Sequence, residues 1–155
     1  MTNQVYFYNE FSHTYLAIDP STQGYELRAL TPNDTPLAFT VSSTSTSAVN
    51  ICTTVANIPY CLDVWGDKKY TPHLANPGAY SGQQWFESQN SFGYRFSNGY
   101  TGDGWFLDVY ADTKKAFMST GSFAGQYWRR VKVSRVFWEG LYQVRTHLVL
   151  TWIVR

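Results

Sequence analysis

Short runs in which apolar and polar residues alternate follow one another along the chain, each closed by a cluster of turn formers. Val5 to Tyr8, Tyr15 to Ile18, Tyr25 to Leu30 and Leu37 to Val41 make a first set. Val49 to Thr53, Tyr60 to Trp65, Tyr70 to Ala75 and Trp85 to Ser88 make a second. Gly93 to Phe96, Trp105 to Tyr110, Ala116 to Met118 and Tyr127 to Val133 make a third. Alternation at a period of two sends successive side chains to opposite faces of a pleated strand, so each run predicts a strand with one buried face. Turn formers such as Asp19-Pro20-Ser21, Asn76-Pro77-Gly78 and Ser97-Asn98-Gly99 separate the runs. Before residue 135 no window keeps apolar residues at the 3.6-residue period of a helix over about ten positions, which leaves twelve strands in three sets of four.

The three sets echo one another. Leu16-Ala17-Ile18-Asp19, Leu62-Asp63-Val64-Trp65 and Leu107-Asp108-Val109-Tyr110 recur at steps of 46 and 45 residues. A large aromatic, Phe39, Trp85 or Trp128, follows each leucine at 23, 23 and 21 residues. Two markers that keep one spacing predict a threefold internal repeat, with units of about 4–46, 47–92 and 93–135 and a remainder at 136–155.

Composition supports one all-β domain. A chain of 155 residues suits a single core, and its aromatic share (18%) exceeds its charged share (15%). That balance favours pleated, half-buried surface over helix. The Ser/Thr run from Ser42 to Ser47 reads as a polar loop between units one and two. No signal-peptide pattern opens the chain and no apolar run reaches membrane-span length, so the expectation is a soluble, cytoplasmic protein. Cys52 and Cys61 flank Ala56-Asn57; a hairpin there would bring them face to face, making a disulfide geometrically feasible. The plain expectation for a cytosolic protein is two reduced, small apolar side chains. Charge is uneven: residues 113–155 carry a net +7 and residues 1–112 a net −6. Such a basic segment marks contact with membrane, nucleic acid or an acidic partner, or simply attraction between the two halves.

Trp85 and Trp128 each close a Gln-x-Trp triplet, Gln83-Gln84-Trp85 and Gln126-Tyr127-Trp128, and Tyr60-Cys61-Leu62-Asp63-Val64 stands upstream of the first. This combination resembles the ricin-B-like lectins over roughly residues 4–135. The resemblance implies a β-trefoil of three four-stranded repeats with pseudo-threefold symmetry, in which the tryptophans are core residues. It also implies carbohydrate-binding positions. In unit two these are Asp63 and Gln83, with His73 as the stacking ring and Asn76 and Tyr80 in the following loop; in unit three they are Asp108 and Gln126, with Phe117 or Phe123 as the ring. Unit one departs from the pattern, with Ala17 in place of the aspartate and Pro36-Leu37-Ala38-Phe39 in place of Gln-x-Trp. Gly82 and Gly125 stand where family members often carry asparagine. Residues 136–155 read as a partial fourth repeat, an extension covering the barrel, or strands lent to another subunit.

Sugar recognition needs a carboxylate to accept hydroxyls, an amide that both donates and accepts, and a ring to cover a C–H patch, and units two and three supply that set. No nucleophile elbow, phosphate loop or zinc-protease motif occurs, and His13, His73 and His147 lack metal-ligand spacing. The expected function is therefore a lectin without catalytic activity, metal or cofactor, with galactose-type sugars first in line from the resemblance. The expected partners are glycans or glycoproteins; nucleic acid is not expected, and membrane contact would run through glycans or the basic C-terminal segment. A homo-oligomer would multiply weak sites. The rival is a β-trefoil protease inhibitor, since one fold hosts many functions. Asn33-Asp34-Thr35 fits the glycosylation pattern and reads as a turn.

Overall fold

The computed structural model describes residues 4–22, 25–29, 36–64 and 70–133. The strands expected within 136–155 and the Asn33-Asp34-Thr35 turn lie outside the described residues. Among the described residues twelve strands form: β1 (Gln4–Asn9), β2 (Thr14–Ile18), β3 (Leu27–Ala29), β4 (Phe39–Ser43), β5 (Val49–Val55), β6 (Ile58–Asp63), β7 (His73–Ala75), β8 (Trp85–Asn90), β9 (Gly93–Asn98), β10 (Gly102–Val109), β11 (Ala116–Thr120) and β12 (Trp128–Lys132). Each overlaps one alternating run of the sequence. Single 3-10 turns at Ser81–Gln83 and Ala124–Gln126 precede β8 and β12.

The first and fourth strands of each repeat close a ring. β1 pairs with β4, β4 with β5, β5 with β8, β8 with β9, β9 with β12, and β12 returns to β1. Closure leaves this six-stranded barrel without a free edge. The second and third strands form hairpins, β2–β3, β6–β7 and β10–β11, each attached to the first strand of its own repeat. A barrel with three capping hairpins is a β-trefoil. The polar run at the end of β4 closes a tight turn into β5, where the Thr44 N–H and hydroxyl donate to the Ala48 carbonyl and the Ala48 N–H donates to the Thr46 hydroxyl.

The echo of the sequence becomes layers of the core. Phe7, Ile51 and Phe96 come from the first strands, Leu16, Leu62 and Leu107 from the second, and Phe39, Trp85 and Trp128 from the fourth, all fully buried. Burial of side chains this size stabilises by roughly 1.5–3 kcal/mol each. The two markers keep their spacing because they touch: the Trp85 indole donates to the Leu62 carbonyl (2.9 Å), and Trp128 to that of Leu107 (3.1 Å). Phe39 has no such donor, and the backbone N–H of Leu37 takes the Leu16 carbonyl instead (3.3 Å).

A second threefold feature escaped the sequence reading. Asn9 and Asn98 lie two residues beyond the core residues Phe7 and Phe96, and Thr53 two beyond Ile51. Each reaches into another repeat: Asn9 donates to the Gly125 carbonyl (2.7 Å), Thr53 to that of Ala38 (2.6 Å) and Asn98 to that of Gly82 (2.7 Å). All three are buried, so these bonds hold the turn before each fourth strand against the start of the next repeat.

The cysteine expectation is corrected. Ala56 and Asn57 both take positive φ, 50° and 67°, the conformation of a two-residue hairpin turn matched to strand twist. That turn fixes the register Cys52↔Cys61, and the two sulfurs are bonded.

Candidate functional site

In the second repeat, β6 ends on Asp63 and β7 begins on His73, which are direct partners across the hairpin. Both are buried, as is Gln83 from the 3-10 turn. Gln83 is fully engaged: its amide donates to Asp63 Oδ2 (2.9 Å) and to the Asn76 carbonyl (2.8 Å), and its Oε1 accepts the Gly78 N–H (2.9 Å). Its own carbonyl accepts from Asn50 (2.7 Å). The loop after β7 is thus wrapped around the glutamine. Gly82 explains why no asparagine stands there: a Cβ would lie 2.0 Å from Asp63 Oδ1 and 2.2 Å from the Val64 carbonyl. The His73 ring contacts the Thr71 carbonyl through Nδ1 (3.0 Å).

Above this floor is an open depression of about 880 Å³ that includes Asp63, His73, Asn76 and Tyr80 among its lining residues. Tyr25, Tyr60 and Tyr100 join them, contributed by the first repeat, β6 and the β9–β10 turn. Tyr80 is the most open of these rings, 62% exposed. Tyr25 sits in the left-handed region at φ 56°, an uncommon place for a bulky residue, with its carbonyl accepting the Leu74 N–H (3.0 Å) and its ring 4.9 Å from that of Tyr60. The neighbouring Tyr25 hydroxyl holds the Tyr60 phenol above its usual range, followed by burial and by Tyr25 charge. Tyr25 and Tyr70 open equivalent runs 45 residues apart and share a positive φ, and Tyr60 stands two residues before Leu62, but only the fold shows that Tyr25, Tyr60 and Tyr100 line one depression.

The third repeat arranges the same residue types differently. Asp108 and Gln126 come together, but Ser119 stands between them: its hydroxyl donates to Asp108 Oδ2 (2.6 Å) and accepts from the Gln126 amide (2.7 Å). Asp108 Oδ1 accepts the Val109 N–H (2.7 Å). Gln126 Oε1 accepts from the Arg95 guanidinium, which also donates to the Gly121 carbonyl (2.7 Å) and lies 3.6 Å from the Phe106 ring centre. Burial raises the Asp108 carboxyl above its ordinary value, against the lowering effects of Ser119, Val109 and the Arg95 charge. Gly125 repeats the glycine constraint, since a Cβ would lie 2.1 Å from Asp108 Oδ1. Phe117 lies directly across from Asp108 in the β10–β11 register, as His73 lies across from Asp63 in the second repeat. Phe117 is stacked on Tyr110, 3.7 Å between centroids, and Phe123 lines a separate groove with Phe92 and Tyr127.

In the first repeat the aspartate of the second and third is Ala17, which is buried. Asp19 closes its own turn instead, accepting from the Ser21 N–H and hydroxyl, and lies 4.0 Å from Lys115 Nζ of the third repeat. Among the described residues no cluster of His, Cys, Asp and Glu is placed to hold a metal.

No protein-family model matches the sequence, and no curated protein matches it either. Solved structures do match in shape. The designed threefold-symmetric protein ThreeFoil superposes with a TM-score of 0.69 at 15% identity, over 84% of this chain and 99% of that one. The BEL β-trefoil gives 0.67 at 13% identity, over 84% and 93%. A GlcNAcα1-4Gal-releasing endo-β-galactosidase from Clostridium perfringens gives 0.70 at 11% identity, over 85% of this chain but only 33% of the enzyme. The chain therefore spans about a third of that enzyme's length. At these identities the likeness is one of fold, and the fold is the β-trefoil.

Proposed function

We propose that this protein is a carbohydrate-binding lectin that works by recognition without chemistry, with its principal site in the second repeat. The observation that carries this reading is the open depression above β6–β7, where tyrosine rings and polar groups share one surface. A pyranose offers a C–H patch to a ring and hydroxyls to an amide or carboxylate at its edge. Tyr80 and Tyr25 supply exposed rings, and Asn76 and Asp63 the polar edge. In the third repeat the equivalent carboxylate and amide are engaged by Ser119, Val109 and Arg95, so the proposal does not rest on it. Galactose-type sugars are the first to test. The C. perfringens neighbour, by its name, acts on a galactose-containing glycan, and the shared trefoil occupies a third of it.

A glycan array tests the reading with wild type, Tyr80→Ala and Tyr25→Ala. Both variants should lose about tenfold or more in affinity for at least one glycan that wild type retains, since an aromatic contact contributes roughly 0.5–1.5 kcal/mol beyond the area it buries. Asp63→Ala is the poorer probe because it strands the buried Gln83 amide. An array on which wild type retains no glycan, or on which both tyrosine variants behave as wild type, overturns the proposal. Tight inhibition of a protease by such a glycan-blind protein would favour the inhibitor reading.

A further inference from the structure

A second concave surface lies away from the depression of the second repeat. Three turns converge on it: Glu10 to His13 between β1 and β2, Ser91-Phe92 between β8 and β9, and Ser122-Phe123 before β12. Together they frame a groove of about 1020 Å³. Each turn puts a phenylalanine into solvent: Phe11 is 46% exposed, Phe92 69% and Phe123 57%. Nothing in the core requires this, and exposed apolar rings clustered on one surface mark interaction sites.

The floor between the rings is polar and held in place by hydrogen bonds. Tyr127 lies 5.6 Å from the Phe92 ring, and hydrogen bonds from Ser122 and Asn90 hold its hydroxyl below the usual phenol range. Asn90 also accepts the Phe92 N–H (2.9 Å), which sets the turn that carries that ring. The two charged lining residues, Glu10 and Arg129, form a two-point ion pair with each other. His13 meets the Tyr8 hydroxyl (3.1 Å), and the nearby Arg95 guanidinium, 5.7 Å from the Tyr127 ring centre, is bonded to the Gly121 carbonyl and the Gln126 side chain, so the groove offers little charge to a phosphate, a phosphopeptide or an anionic headgroup. Rings spaced around amides and hydroxyls instead match a ligand that alternates C–H faces with hydroxyl edges.

We infer that the groove framed by Phe11, Phe92 and Phe123 is a second saccharide site, built for a neutral oligosaccharide whose successive rings lie on successive phenylalanines. It uses neither Asp108 nor the Asp63–Gln83 pair, and it holds independently of the tyrosine-lined depression. Two sites on one body add avidity for a branched or repeating glycan.

The test combines Tyr80→Ala, which disables the first site, with the double variant Phe92→Ala/Phe123→Ala, whose rings are exposed enough to be removed without unfolding. Lactose, N-acetyllactosamine, maltotriose and chitotriose serve as calorimetric probes, and phosphatidylcholine vesicles as the control surface. Tyr80→Ala should keep binding one of the oligosaccharides, and adding the double variant should abolish that residual binding. For a saccharide that uses both sites, either change alone should halve the stoichiometry. Loss of all saccharide binding in Tyr80→Ala alone overturns the second site and leaves the first standing. Saccharide binding unaffected by the double variant overturns it too, as does capture of vesicles that disappears with the two phenylalanines. Wild type that binds none of these sugars, on array or in solution, sinks both sites together.

Discussion

The second and third repeats carry the same aspartate, glycine, glutamine and tryptophan, yet in one the glutamine meets the carboxylate directly and in the other a serine stands between them. The difference comes from neighbours outside the motif. Ala75 in the second repeat occupies the strand position held by Ser119 in the third, since each pairs opposite the equivalent residue, Cys61 and Phe106. Alanine has no hydroxyl to interpose, so Gln83 reaches Asp63 directly. The position before the buried first-strand residue is Asn50 in the second repeat and Arg95 in the third; the short amide holds a backbone carbonyl, whereas the long cation reaches the glutamine side chain itself. Shared motif residues therefore report a shared hydrogen-bonded clasp, and the residues around it decide how the clasp is closed.

The largest effect should come from the glycines. Gly82→Ala places a methyl group against both the Asp63 carboxylate and the Val64 carbonyl, and should cost about 3 kcal/mol, the upper end of ordinary overpacking. Gly125→Ala meets a side-chain oxygen at 2.1 Å but leaves 3.0 Å to the Val109 carbonyl, and should cost less. Urea denaturation of the two variants would show this order; equal costs would mean that the two clasps are mechanically alike.

Ser119→Ala should come next, at about 2 kcal/mol, because it leaves Asp108 Oδ2 and one Gln126 donor buried without their shared partner. Direct closure of the Gln126 amide onto Asp108, as in the second repeat, would erase most of that cost, and a near-neutral variant would show that the third clasp can adopt the geometry of the second.

The smallest effect is one of pH. Burial raises Asp108 above its ordinary value of 3.8, so the folded state holds that proton more tightly than the unfolded chain. Stability contributed at this site is accordingly present below the ordinary carboxylate value and is lost as pH rises through the raised one. Asp108→Asn should remove this slope from a series of urea midpoints against pH. Ser119→Ala should steepen it by deleting the strongest of the interactions that favour the charged form. A pH series identical in wild type and Asp108→Asn would remove Asp108 as the source.

What the chain disclosed in advance follows from where side chains repeat in kind. Leu62, Leu107, Trp85 and Trp128 repeat because one carbonyl and one indole must meet at the same depth, and that made the strands and the trefoil readable. The links at Asn9, Thr53 and Asn98 perform one task with two residue types, so the pattern was not visible as a pattern. In the first repeat a backbone N–H, that of Leu37, does the work of an indole, and backbone leaves no trace in composition. Asp63 and Gln83 stood out in the sequence as separate motif positions, but their mutual hydrogen bond and their burial were not legible there. Nor were the rings that surround the depression, because Tyr25, Tyr60 and Tyr100 come from different strands and turns and meet only once the barrel has closed.

The pairing of β1 with β12 carries a consequence for how the chain can be rewired. Val5 lies opposite Lys132, and the Val133 N–H donates to the Gln4 carbonyl (3.0 Å), so the two ends of the described domain lie side by side. In a chain trimmed to residues 4–133 a few added residues would join them, and it could then be opened at the Thr44–Ala48 turn to make a circular permutant with every described strand in its place. The links from Asn9, Thr53 and Asn98 run around the threefold axis with no first or last member. Such a permutant would therefore begin on a different repeat and still build the same barrel, because the architecture treats the order of the repeats as a cycle.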